Sequence, residues 1–178
     1  MLVDGEIATV TLAFSERVRQ PEVVLNGQAI TFNQPDEGVS KTWVGTSPAL
    51  ILPSSASTSK LVVSNYQDTA STPNLGAHYE KTLDVKPIIL MPEILDLSTS
   101  EARAFVVSGT ARGFENGAQL SVSVSNNSPL GETFSGTVTV SGGAWKTAPE
   151  DISSWESGTL TITVNGSNSG GHAATLVS

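Results

Sequence analysis

His78 and His172, with the adjacent carboxylate pairs Asp36-Glu37 and Glu150-Asp151, are the residues with which this 178-residue chain could do acid–base chemistry. A hydrolase needs a nucleophile beside a base, or two carboxyl groups facing each other across a cleft. Neighbouring carboxylates in a turn project in different directions, and the two histidines occupy corresponding places in separate halves of the chain. They read as surface residues that share no site. Trp43, Trp145 and Trp155 could offer sugar-stacking faces. Trp145 opens a strand just after a Gly-Gly turn, the position of a core anchor, and Trp43 reads the same way. Trp155, in the stretch SSWES, is the one expected to be partly exposed.

The elements that would position these residues are short strands. ATVTLAF (8–14) sets Val10, Leu12 and Phe14 on one face and Thr9, Thr11 and Ala13 on the other, the period of two of a half-buried strand. EVVLNGQAITF follows. Its Asn26-Gly27 pair between apolar runs predicts a type I′ hairpin, with 22–25 pairing antiparallel to 28–32. KTWVGT (41–46), ALIL (49–52) and KLVVS (60–64) are further strands, separated by Pro48, Pro53 and a Ser-rich loop that would end pairing. HYEKTLDV (78–85) closes the first half after the long polar loop YQDTASTPNLG. The second half runs AFVVSG, QLSVSV, TFSGTVTV, AWKT and TLTITV. Leu120, Val122 and Val124, then Val138 and Val140, then Leu160, Ile162 and Val164 alternate toward one core shared with Phe105, Val107 and Trp145. No amphipathic helix of useful length is expected in either half.

KPIILMPEIL (86–95) joins the halves with two prolines and a continuous apolar run. Pro87 and Pro92 cannot donate to a ladder and hold their predecessors extended, so the joint should be stiff. The predicted architecture is all-β: two tandem immunoglobulin-like antiparallel β-sandwiches arranged end to end, 1–86 and 87–178. Gly-Ala-His at 76–78 and Gly-Gly-His at 170–172 each precede a final strand, a weak internal repeat that supports the division.

Composition narrows the function. The net charge of −8 is spread over both halves, 6 basic against 9 acidic residues in 1–86 and 3 against 8 in 87–178, which disfavours nucleic acid as a partner. Cysteine is absent, which fits a cytosolic or a bacterial surface protein equally. No stretch approaches the roughly 18 apolar residues of a membrane span, and MLVDGEIATV has neither the basic region nor the apolar core of a signal peptide. Met1 is therefore expected to open an excised fragment of a longer protein.

In the second half VSGTA (107–111), GAQLSVSV (117–124), GGAWKT (142–147) and DISSWESGTLTITV (151–164), and in the first TLAFSERV (11–18) and QDTASTPNLG (67–76), resemble the bacterial immunoglobulin-like (Big) repeats of giant surface adhesins of the type I-secreted RTX kind. The resemblance implies extender modules that project a distal binding domain for adhesion or biofilm formation, outside the bacterial cell. Their partners would be neighbouring modules of the same chain, with the host or surface ligand held by other domains. Members of that family with calcium sites use aspartates in the turns where this chain has NGSNSGG (165–171) and Gly142. Calcium takes about six to eight oxygens. The candidate ligands are Asp68, facing a preceding module, and Asp84, Glu115, Asn116, Asn165 and Asn168 at the internal joint. No cofactor is required for a sandwich to close its core, and calcium is a possible addition. The alternative reading is a carbohydrate- or protein-binding sandwich of an adhesin or secreted glycosidase, which would need an exposed aromatic patch or groove.

Overall fold

The computed structural model describes residues 1–33, 38–94 and 96–178. The Asp36-Glu37 pair lies outside them. The chain divides into two compact units, one made of Met1–Leu52 with Thr58–Val85, the other of Pro53–Ser57 with Lys86–Ser178.

The first unit holds β1 (Ile7–Arg19), β2 (Glu22–Leu25), β3 (Gln28–Ala29), β4 (Thr31–Phe32), β5 (Val39–Ala49), β6 (Thr58–Ser64) and β7 (Tyr79–Asp84). They form a sheet of order β1-β5-β4 and a second of order β3-β2-β6-β7. The alternation read from the sequence survives in space: Val10 is buried, Leu12 and Phe14 are half-buried, and Thr9, Thr11 and Ala13 are exposed. Trp43, 1% exposed, sits at the centre, edge-on to Phe32 with ring centroids 6.0 Å apart.

Three expectations fail here for identifiable reasons. The predicted strand 28–32 is split. Asn26 and Gly27 do take the positive φ values of the turn, 51° and 75°, and β3 pairs with β2. After Ile30, whose N–H still donates to the Val23 carbonyl at 2.9 Å, the chain leaves that sheet and β4 pairs with β5 in the other. Ile30 and Phe32 are both buried, so the crossing keeps both apolar side chains inside. Pro48, expected to end pairing, lies within β5 instead. The β1–β5 ladder shifts register between Ile7 and Thr9, opposite Pro48. At that irregularity the Ala8 N–H donates to the Ser47 hydroxyl oxygen at 2.9 Å, a side chain standing in for a ladder acceptor. The segment 50–52 is not a strand. Leu50 and Leu52 are buried by hydrogen bonds to the chain start, Leu50 N–H to the Glu6 carbonyl and Leu52 N–H to Asp4 Oδ1.

The second unit holds β8 (Ile88–Leu90), the single helical turn α1 (Thr99–Ala102), β9 (Ser108–Arg112), β10 (Gln119–Asn126), β11 (Thr133–Thr139), β12 (Ala144–Lys146), β13 (Leu160–Ser167) and β14 (Ala173–Val177). The sheets run β12-β9-β8 and β11-β10-β13-β14. Their inner faces supply Leu120, Val122, Val124, Val138, Val140, Ile162 and Val164, all buried, with Phe105, Val107 and Trp145. Ile88 to Leu90 thus open this unit as a strand. Trp145 is the anchor expected from its turn: it is 3% exposed, and its indole N–H donates to the Thr110 carbonyl at 3.2 Å. The glycine of VSGTA is explained by the same packing. A Cβ on Gly109 would lie 2.1 Å from the Leu90 carbonyl oxygen and 2.7 Å from the Trp145 ring.

Each unit therefore has two antiparallel sheets with a buried layer between them, and the four-stranded sheets share one order of succession, third or equivalent hairpin strand outermost and last strand at the far edge. Both units are immunoglobulin-like β-sandwiches.

Candidate functional site

The loop 65–77 of the first unit is folded around one carboxylate. Asp68 is 8% exposed. Its Oδ1 accepts the N–H groups of Ala70 and Asn74, each at 3.1 Å, and its Oδ2 accepts the Asn74 side-chain amide at 2.7 Å. The Asn74 side chain is the main cause that holds this carboxyl below its ordinary value, helped by the Asn74 and Ala70 backbone N–H groups against the raising effect of burial. Tyr66 lies over Gly76, where a Cβ would fall 1.8 Å from the ring, and the Tyr66 hydroxyl donates to the Ala77 carbonyl at 2.9 Å. The loop is thus a capped turn in which Asp68 takes N–H donors from its own segment.

In the second unit, the structure brings together the turns that carry Glu115, Asn116 and Asn168. The Asn168 amide donates to the Gly113 carbonyl at 3.0 Å, while its Oδ1 accepts the His172 N–H at 3.0 Å. Asn116 Oδ1 accepts the Gly142 N–H at 2.7 Å, and Asn165 Oδ1 accepts the Thr175 hydroxyl at 2.8 Å. Glu115 Oε2 is buried without a hydrogen-bond partner. Asp84 belongs to the first unit, on β7, and is exposed. Among the described residues no group of three or more His, Asp and Glu is placed to hold a metal ion. Within the second unit one carboxylate and three amide oxygens that already accept hydrogen bonds do not fit the six to eight oxygens that calcium takes.

The acid pair Glu150-Asp151 does structural work. Glu150 exchanges both backbone hydrogen bonds with Phe105, and Asp151 Oδ1 accepts the Ser153 N–H at 3.0 Å and the Ser153 hydroxyl at 2.6 Å. Those Ser153 bonds, side chain first, lower the Asp151 carboxyl, with Arg103 adding to the effect. His78 is exposed just before β7, and His172 is half-buried just before β14. The sequence signal for these roles was present, because Asp-x-Ser and Asp-x-Ala are Asx-turn spacings.

Trp155 is half-buried, as expected, and it borders an open groove of about 1110 Å³ in the second unit. Ile94, Leu97, Ile152 and Leu160 supply its apolar lining, and Phe134 backs the Trp155 ring at 6.2 Å. Glu93, Asp96 and Glu156 stand among its polar residues. Sequence reasoning missed this groove, because most of its wall comes from the irregular segments 93–102 and 152–159, which only the fold brings beside the start of β13. Among the described residues no helix is long and apolar enough to cross a membrane.

No family model matches the chain, and no curated protein matches it. Among solved structures it is similar to a tetra-tandem repeat in the extending region of a large adhesion protein, at 17% identity and a TM-score of 0.43 over 98% of this chain and 45% of that one. It is also similar to a 1.5-MDa bacterial ice-binding adhesin described for host cell surface retention, at 20% identity and a TM-score of 0.37 over 98% of this chain and 57% of that one. Bovine butyrophilin aligns over 99% of this chain and 92% of its own, at 9% identity and a TM-score of 0.27. The chain thus spans about half the length of the two adhesin structures, and none of these likenesses transfers a residue role to it.

Proposed function

We propose that the two sandwiches are extender modules of a bacterial cell-surface adhesin, which act outside the cell by adding length between an anchor and a distal binding domain, and that they catalyse no reaction. The observation that supports this reading is how the loops use their polar groups. Asp68, Asn116, Asp151 and Asn168 all accept N–H groups from turns of their own unit, and among the described residues no two of the chemistry-capable groups singled out in the sequence converge on a cleft. A strand of about 3.3 Å per residue makes each sandwich a rod-like unit whose length costs few residues.

In this proposal the modules need no cofactor, and calcium is not part of the scaffold. Small-angle X-ray scattering with calcium and then with a chelator, paired with thermal melting, tests both statements. An elongated particle indifferent to chelation is expected. A particle that shortens and melts lower on chelation would replace the metal-free spacer with a calcium-stiffened one, and a compact particle would overturn the extender reading. A second reading, ligand binding, is favoured by the Trp155 groove alone. It predicts a change in Trp155 fluorescence on titration with soluble glycans or peptides, absent in Trp155→Phe.

A further inference from the structure

The strand β11 lies at the edge of its sheet. Its ladder with β10 runs without a register shift from Gln119↔Thr139 to Ser125↔Thr133. At the two ends of this ladder Asn126 N–H donates to the Glu132 carbonyl and Val140 N–H to the Ala118 carbonyl. Antiparallel pairs alternate between bonded and non-bonded. The even-numbered residues of β11 therefore exchange hydrogen bonds with β10, and Thr133, Ser135, Thr137 and Thr139 turn their N–H and C=O groups to the open side. Among the described residues nothing hydrogen-bonds to those backbone groups.

Natural edges are blunted by charges, prolines, bulges or brevity. The other edges here show these devices. β3 has two residues, β7 carries Glu80, Lys81 and Asp84, and β1 has two register shifts with Glu16, Arg17 and Arg19. β14 has β8 packed beside it. β11, TFSGTVT, has no charge, proline or register shift, and β12, which comes near it, pairs with β9 instead. Its Gly136 is also unexplained by the unit itself, since a Cβ there would meet no atom within 4 Å. Glycine inside a strand marks a place where another backbone approaches.

We propose that β11 is a self-association edge, at which two copies of this chain pair antiparallel about a two-fold axis through Gly136. In that register Thr133 lies opposite Thr139 and Ser135 opposite Thr137, so every outward-turned residue meets an outward-turned residue. The two glycines fall in the closely spaced non-bonded position. The solvent face then carries Thr–Thr and Ser–Thr cross-strand pairs, and the inner face sets Phe134 opposite Val138, so that two four-stranded sheets become one of eight strands. A second copy is the occupant because the strand is self-complementary and uncharged. The net charge of −8 resides elsewhere and is screened beyond about 8 Å at physiological salt.

Sedimentation equilibrium of the whole chain over a wide concentration range tests this, with amide hydrogen exchange on the same samples. Ser135→Pro removes an outward N–H without touching the β10 ladder, and Thr137→Lys places a charge on the edge. Ser123→Lys, on the same face but in the central strand β10, is the control. The expected result is a reversible monomer–dimer equilibrium in which protection rises with concentration at Thr133, Ser135, Thr137 and Thr139. Both edge variants should weaken it by at least about tenfold, with melting unchanged, while Ser123→Lys still dimerises. A wild-type chain that stays monomeric at the highest concentration would overturn the proposal. So would a dimer that survives both edge substitutions, or one that Ser123→Lys abolishes as completely.

Discussion

The hairpin β2–β3 in the first unit and the hairpin β10–β11 in the second occupy the same place in their four-stranded sheets and end differently. The first pairs over two positions, Val24↔Ala29 and Leu25↔Gln28, before the chain crosses to the other sheet. The second pairs over seven and stays. Ile30 and Phe32 are both buried, so the first strand keeps two large side chains in the core while it changes sheets, whereas Gly136 separates Phe134 from Val138 and leaves β11 a lightly loaded edge. One unit closes its flank with its own chain, and the other leaves a flank open.

The largest expected difference between the units lies at their tryptophans. Trp43→Ala and Trp145→Ala should each cost about 3–5 kcal/mol, read by calorimetry as a lowered melting of the unit that carries the change. Replacement by Phe separates them. Trp145→Phe removes the indole bond to the Thr110 carbonyl and should cost about 0.5–1.5 kcal/mol beyond the packing loss, whereas Trp43 Nε1 is already buried without a partner, so Trp43→Phe removes an unsatisfied donor and should cost less. Equal losses in the two Phe variants would break the comparison.

A smaller effect separates two glycines within the second unit. Gly109→Ala should destabilise by about 1–3 kcal/mol and loosen β8, detected as faster exchange of the Ile88–Leu90 amides, because its Cβ would meet the Leu90 carbonyl. Gly136→Ala, in open space, should be neutral or stabilise by about 0.5–1 kcal/mol.

The smallest effect is in acid. Asp68 and Asp151 both have carboxyls lowered below their ordinary value in the folded state. Each therefore contributes stability that is fully present above the unfolded value of about 3.9 and lost as pH falls through the depressed folded value. Protection of the Asn74 and Ser153 amides, relative to their intrinsic exchange at each pH, should fall below about pH 4. Asp68→Asn should remove that response from the first loop and leave the second intact.

What the sequence made legible was whatever depends on the nearest neighbours. The alternation of Leu120, Val122 and Val124, the Asn26-Gly27 turn and the burial of Trp145 after Gly142-Gly143 all follow from local period and turn chemistry. The sheet switch at Ile30 was not legible, because QAITF alternates identically whether 28–32 stays in one sheet or crosses to the other. Pro48 misled for a similar reason: its tolerance depends on Ser47 serving the distant Ala8 amide. For the candidate site, the polar turn residues were visible, but the choice between ligand and cap is made by Asn74, Gly142 and His172, whose N–H groups reach those oxygens only in the folded loops.

Leu2 pairs parallel to Val85, with its N–H on the Asp84 carbonyl at 2.8 Å. The first and last segments of this unit therefore run side by side in the same direction. Tension that enters near Leu2 and leaves near Val85 loads that contact in shear, along the strands, rather than peeling it open one bond at a time. A tether built from such units would yield at a threshold instead of creeping.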